Sequence, residues 1–541
     1  MASLFIAAGC SNGRSQARAL LETDGAGPRG TGGVGTIAGN GGATAGNEDS
    51  QVEIGPPPPP AVFPLVVSSN GRYLQDQNGT PFLILGDGAW QAPLNLNTED
   101  QTIFLNDRVG RHFNSVLFDA IEHKFTQNKP PKNLAGDLPF TKRLDGHAFT
   151  GSPNGTTTPN GNTQQYGPDP YSDIGSEAPD FTSPNETYWA SIDAYVALCA
   201  TKGVLVLTWP AYAGYGGADE GWMSEMVAND AVIGAGNLAG QSFADNTKSK
   251  LWNYAAWLAD RYKNATNIVW VYGGDYGTSA SFGGFFGSAQ KSAVSSVLAG
   301  SLSVGGQKST LRTAHWARTS LATDVSFPAG SFDVETVYSD LSAAGLGRSG
   351  YSHTPVLPAF QIETYYENND KNQNVPNRRL QWWGELSAIG GYFFGNEKEW
   401  PFASGWQSTL TSPGSLDTAR ENAFFTSIAW QNLVPSGLNG EKTLITDGGG
   451  TANPQSMDYV AAAATTDGTL LVAYIPPSHS GSITVDMSAM SGTSHARWFD
   501  PTNGNFSDAG SGLANSGTHP FTPPGNNASG AADWVLLVNS P

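Results

Sequence analysis

The feature that most constrains this chain is a pair of continuous apolar runs, each ending in an acid. One reads Asn267-Ile-Val-Trp-Val-Tyr-Gly-Gly-Asp275; the other reads Pro355-Val-Leu-Pro-Ala-Phe-Gln-Ile-Glu363 and continues Thr364-Tyr-Tyr-Glu367. Runs of this kind, without polar alternation, fit strands buried on both faces, as in a parallel sheet. An acid just beyond such a strand projects from its carboxyl edge, which in a (β/α)8 barrel carries the active site. Two carboxylates converging among aromatic side chains are what cleavage of a glycosidic bond requires.

Strand-like and helix-like segments alternate from residue 63 onward, so the expected fold class is α/β with a parallel sheet. After a short β-prelude with a turn at Asn78-Gly79, the first barrel strand is expected at Pro81–Asp87. A Thr98-x-x-Gln101 capping box should open a helix running to His112. Further strands are expected at Asn114–Asp119, Val204–Trp209, 268–272, Thr310–His315, Phe332–Val337, up to Glu363, and Gly391–Asn396. Helices are expected at 186–202, 241–262, 376–389 and 418–433. The sum is a TIM barrel over residues 61–435. Beyond Pro435, short strands separated by turn residues predict a C-terminal antiparallel β-sandwich over 436–541. The Pro/Gly/Asn-rich stretch 122–183 follows a strand and should lie over the mouth; with 210–240 it reads as a long loop.

Met1-Ala-Ser-Leu-Phe-Ile-Ala-Ala-Gly-Cys10 resembles the end of a bacterial lipoprotein signal with Cys10 as the lipidated residue, although no basic residue precedes it. Residues 11–60 have linker composition, ending in a five-proline run. Together they predict a secreted or surface-tethered protein, touching a membrane only through that anchor. A net charge of −19 argues against nucleic acid. No run of eighteen apolar residues exists, and the two cysteines, Cys10 and Cys199, offer no disulfide framework. His-Glu-x-x-His, Gly-x-Ser-x-Gly and paired-cysteine motifs are absent from the sequence, so no metal or cofactor is expected. A monomer acting on a polysaccharide or oligosaccharide is the expected form.

Several motifs resemble the apiosidase-like glycoside hydrolases, whose barrel carries a C-terminal β-domain labelled collagen-binding. They are Asn70-Gly-Arg-Tyr-Leu, Gly79-Thr-Pro-Phe-Leu-Ile-Leu-Gly-Asp-Gly-Ala-Trp90, Val269-Trp-Val-Tyr-Gly-Gly-Asp275, Thr313-Ala-His315 and Glu363-Thr-Tyr-Tyr-Glu367. Gly395-Asn396 with Trp400, Arg497-Trp-Phe-Asp-Pro-Thr-Asn-Gly504 and Asp533-Trp-Val-Leu complete the set, covering nearly all of 63–541. Thr364 and Gly88 depart from the family pattern, which usually has proline and threonine there. The resemblance implies that Asp275 and Glu363 are the catalytic pair, Asp275 as acid/base and Glu363 as nucleophile of a retaining enzyme. From the residues alone, Asp275 could instead be a helix N-cap, and Glu363 a partner of Arg378 or Arg379. Candidate substrate-binding residues are Asp87, Trp90, Asp119, His315 and Glu367, with Trp209, Tyr338, Tyr365 and Trp400 as stacking platforms. Alternatives are another pentofuranosidase, such as an arabinofuranosidase, or a non-catalytic carbohydrate- or matrix-binding surface protein.

Overall fold

The computed structural model describes residues 55–123, 131–150, 178–214, 221–275, 287–340, 343–368, 374–451 and 457–540. The signal-like stretch with Cys10, most of the linker, and parts of the segments 122–183 and 210–240 lie outside the described residues. No described helix is long and apolar enough to cross a membrane.

Eight parallel strands form the barrel: Ile84–Asp87, Ser115–Asp119, Leu205–Trp209, Ile268–Gly273, Arg312–His315, Glu335–Tyr338, Ala359–Glu363 and Ile389–Phe394. The parallel ladder runs from the sixth strand through the seventh, eighth and first to the fifth. Between the fifth and sixth strands hydroxyl groups bridge the seam: Thr313 Oγ1 donates to Val334 O at 2.8 Å, and Thr336 Oγ1 donates to Ala314 O. Ser320–Leu321 adds a short antiparallel strand to the sixth. Ile84, Leu117, Leu205, Leu207, Val269, Val271, Phe360, Ile362 and Phe393 fill the interior. Gly86 makes room there, since a Cβ on it would fall 2.2 Å from Phe393 Cε1.

The structure corrects several sequence expectations. The run 81–87 divides, because Pro81–Phe82 joins a three-stranded antiparallel sheet with Val66–Val67 and Leu74–Gln75 before the barrel begins. The first long helix, Thr98–Gly110, is capped one residue earlier than expected: Asn97 accepts from Asp100 N–H, while Gln101 donates to Leu96 O. Helix Lys250–Arg261 starts where Ser249 caps it, and helix Pro413–Thr426 starts where Ser412 caps it, with Pro413 in the first turn. Helices Ser288–Leu302 and Ala343–Tyr351 were not foreseen, and Met223–Asp230, inside a stretch read as loop, buries Met223 and Met226. The described end of the linker touches the barrel: His112 Nε2 lies 2.7 Å from Gly55 O, and Pro60 packs where Gly203 (φ +71°) has no side chain.

The C-terminal region is two antiparallel sheets, one of six strands and one of three. Period-2 alternation explains how the large sheet serves two cores. Ala462, Ala464, Leu471 and Leu536 face the small sheet with Ile483, Val485 and Phe521. Ala461, Ala463, Val472, Tyr474, Val535 and Leu537 face the barrel, against Leu380, Trp382, Leu386, Phe424 and Phe425. Trp382 stacks on Tyr474 at 5.8 Å and 7°. Buried among them, Arg378 pairs with Asp533 at 2.7 Å and with Asp417 at 2.5 Å, and Tyr474 donates to Asp533 at 3.0 Å.

Removing one partner from such a pair leaves a buried, uncompensated charge. Asp533→Ala should therefore destabilise the protein by about 3–5 kcal/mol in urea denaturation, whereas a loss under about 1 kcal/mol would show that the pair does not hold the two parts together.

Candidate active site

The fourth strand ends in Gly273 (φ +85°) and Gly274 (φ +149°), conformations that glycine adopts readily. Their packing is equally demanding: a Cβ on Gly273 would fall 2.2 Å from Trp316 Cζ3, and one on Gly274 would fall 2.5 Å from Ala213 N. Gly274 N–H donates to His315 O at 2.7 Å, and Ala213 N–H donates to Gly273 O at 2.8 Å. This sharp, tied turn places Asp275 in the mouth, only 3% exposed. Tyr338 OH donates to Asp275 Oδ2 at 3.2 Å.

Glu363 arrives by a different device. Phe360 and Ile362 face the barrel interior, so strict alternation would turn Glu363 outward. A bulge intervenes: Gln361 pairs with Val337, but Glu363 pairs with the next residue, Tyr338. The extra residue brings Glu363 into phase with Tyr338, and bulges beside active sites commonly re-aim a side chain in this way. Tyr366 OH donates to Glu363 Oε1 at 2.8 Å, and His315 Nε2 lies 3.1 Å from Oε2. Tyr366 in turn accepts from Trp90 Nε1 at 2.7 Å.

Aromatic rings enclose the two acids. Trp90 stacks on Trp209 at 4.9 Å and 13°, Tyr212 meets both edge-on, and His315 lies 4.8 Å from the Tyr338 ring. Burial, and then the negative charge of Glu363, push Asp275 up to about 7; His315, Arg318 and the Tyr338 hydrogen bond act in the opposite sense. Among the described residues no group of three or more His, Cys, Asp or Glu side chains is arranged to hold a metal ion.

The mouth thus gathers Asp275, Glu363, Trp90, Trp209, His315, Tyr338 and Asp119. Trp209 is fully buried behind Trp90, so it backs the wall instead of offering a platform. Trp400 stays partly exposed at the rim, its carbonyl accepting from Gln91 N–H at 3.2 Å. Tyr365 is half-buried beneath the Arg318 guanidinium, 5.8 Å from its ring. Two candidates lie elsewhere. Asp87 takes the outward phase of its strand and meets Arg108 at 2.7 Å, in a buried network with Glu399. Glu367 accepts from Ser412 Oγ at 2.5 Å, Gly414 N–H at 2.7 Å and Asn396 Nδ2 at 2.9 Å, binding the start of helix 413–426. Both carboxylates are spent on buried structural partners, where the sequence reading had given them sugar contacts.

Sequence reasoning missed Tyr366, Tyr212 and Arg318. Tyr366 stood inside a quoted motif, one residue beyond the tyrosine that was chosen. Arg318, whose side chain hydrogen-bonds Tyr338, follows His315 in a turn with no signal of its own.

The raised Asp275 makes a sign-definite prediction. The folded protein holds a proton that the unfolded chain releases above about pH 4, so this group lowers stability as pH rises from about 4 to about 7. Asp275→Asn removes that cost and should be more stable than the wild type at about pH 8, with the gap closing near about pH 4, in urea melts at the two values. An asparagine variant no more stable than wild type at the higher pH would contradict the buried-acid assignment.

The family model described as "Apiosidase-like, catalytic domain" matches residues 68–432, and one described as "Putative collagen-binding domain of a collagenase" matches 444–539. A comparison with curated proteins finds no match. Among solved structures, one named "Glycoside hydrolase" is similar at TM-score 0.64 and 19% identity, covering 89% of this chain and 98% of its own. A glycoside hydrolase family 5 structure from Bacteroides vulgatus ATCC 8482 is similar at the same TM-score and identity, covering 89% and 95%. At that identity the structures speak for the fold, and the family match, spanning about two thirds of the sequence, speaks for the activity class. The chain belongs to the apiosidase-like family and is a glycoside hydrolase.

Proposed function

We propose that this hydrolase cleaves a plant or microbial polysaccharide by a retaining mechanism in which Asp275 is the proton donor and Glu363 the nucleophile. The observation that carries the assignment is the difference in surroundings. Asp275, pushed up to about 7, keeps its proton near neutrality, as a general acid must. Glu363 has one oxygen fixed by Tyr366 and the other beside His315, which orients it toward an incoming anomeric carbon. In the first step Asp275 gives its proton to the departing glycosidic oxygen while a Glu363 oxygen bonds the anomeric carbon. In the second, Asp275 takes a proton from water, which displaces Glu363.

The family match favours release of apiose, with arabinofuranose as the neighbouring pentofuranose reading. The low charge content and the signal-like segment ending at Cys10 support action outside the cell, with lipidated Cys10 as anchor.

Incubation with plant and microbial polysaccharides, followed by NMR of the first-formed product, tests the reading. Retained anomeric configuration is expected; inversion would remove the nucleophile role from Glu363. Asp275→Asn and Glu363→Gln should each lose roughly a hundred- to ten-thousand-fold or more in kcat. If the wild type bound a polysaccharide and released no sugar from any, it would instead be a binding protein.

A further inference from the structure

Glu363 stands at the end of two hydrogen bonds whose direction is fixed by the chemistry of the donors. Trp90 Nε1–H donates to Tyr366 OH at 2.7 Å, and Tyr366 OH donates to Glu363 Oε1 at 2.8 Å. An indole N–H can only donate, and a phenol has a single hydrogen. Since Tyr366 accepts from Trp90, that hydrogen is left for Glu363. Burial, and then the Glu363 charge, push the Tyr366 hydroxyl well above the usual tyrosine range, so it keeps the hydrogen near neutrality. The Glu363 side chain is 12% exposed, within reach of a substrate.

Both rings are held in place. Tyr366 lies over Gly395 at the exit of the eighth strand, where a Cβ would fall 1.9 Å from Tyr366 Cδ1, so only glycine fits beneath it. Trp90 stacks on Trp209 at 4.9 Å and 13°, meets Tyr212 edge-on at 5.5 Å, and is 7% exposed. A ring with so little open surface offers a sugar almost no stacking area. Its one polar atom is committed to Tyr366, so the sequence expectation of a sugar contact gives way to a role in aligning that hydroxyl.

We propose that Trp90 and Tyr366 are positioning residues for the second step of the reaction: Trp90 commits the Tyr366 hydrogen to Glu363, and that hydrogen bond speeds departure of the Glu363 carboxylate from the sugar. The proposal rests on the nucleophile role given to Glu363 above. In the first step the carboxylate bonds the anomeric carbon and becomes an ester, a weaker acceptor than the anion. In the second, water bonds the anomeric carbon and passes a proton to Asp275, the bond from that carbon to Glu363 breaks, and its electron pair returns to the carboxylate. The Tyr366 hydrogen bond strengthens as the charge returns, so it favours the second step over the first. Trp90 holds the hydrogen in place before the charge appears, where a hydroxyl free to rotate would have to be turned back.

Tyr366→Phe and Trp90→Phe remove the two donors and keep an aromatic ring at each position. The probes are the 4-nitrophenyl furanosides of D-apiose and L-arabinose, with nitrophenol release followed by stopped flow. Tyr366→Phe should release a burst of about one nitrophenol per enzyme as the ester accumulates. Its kcat and KM should fall together, about tenfold or more, with kcat/KM changing less than about threefold. Trp90→Phe should lose less in the same direction, and its effect should shrink in the Tyr366→Phe background. A merely structural role would lower stability without the burst or the joint fall of kcat and KM. Without substrate, the indole N–H signal missing from Trp90→Phe identifies Trp90 by NMR, and that signal should shift in Tyr366→Phe. In an enzyme that turns over either glycoside, the proposal alone is overturned by a Tyr366→Phe variant with no burst, by kcat/KM falling as far as kcat, by fully additive losses, or by an unmoved indole signal. A wild type that hydrolyses neither glycoside would overturn the catalytic reading, and the role of Tyr366 with it.

Discussion

Holding two acids side by side, out of water, is unfavourable unless the surrounding structure fixes them, and that constraint organises this molecule. Asp275 is nearly fully buried, and burial together with the charge of Glu363 raises the free energy of ionising it. What keeps them there is backbone as much as side chain. Two positive-φ glycines turn the chain into Asp275, and a one-residue bulge rotates Glu363 into the same space. Trp90, Trp209, Tyr212 and Tyr338 pack about the buried Asp275, where low local polarity strengthens the remaining electrostatic contacts.

Support for that geometry extends outward in layers. Arg108 ties the outward face of the first strand to Glu399, whose other oxygen accepts from Thr409 at 2.8 Å. Glu367 fastens the exit of the seventh strand to the start of helix 413–426, which carries Phe424 and Phe425 toward the C-terminal sheets. A continuous series of buried contacts therefore joins the residues flanking Glu363 to the β-domain. This gives the domain a structural role in the barrel, whatever else it binds.

Much of this was legible in the sequence, because continuous apolar runs without polar alternation report a parallel barrel directly. The eight barrel strands follow from apolar runs, and the short strands beyond Pro435 follow from the turn residues that separate them. Phase explains the failures. Asp87 reads as a mouth residue from its place at a strand end, yet its phase faces helix 98–110. Glu363 has the opposite problem: alternation points it away, and the bulge that corrects it leaves no trace in composition. Glu367 looked like a site acid because nothing local reveals that a helix N-terminus, more than forty residues onward, will claim it. The helix Ala343–Tyr351, rich in glycine, carries too little local propensity to be read before its packing is known.

The assignment of Glu363 as the nucleophile is the central claim, and covalent trapping tests it most directly. Incubation with an activated 2-deoxy-2-fluoro glycoside of the preferred sugar should slow the second step more than the first, so that the sugar remains on the enzyme. Proteolysis and mass spectrometry should then locate one glycosyl group on the peptide containing Glu363, and none on the peptide containing Asp275. Label on Asp275, or rapid turnover of the activated glycoside with no labelled peptide and inverted product, would contradict the account.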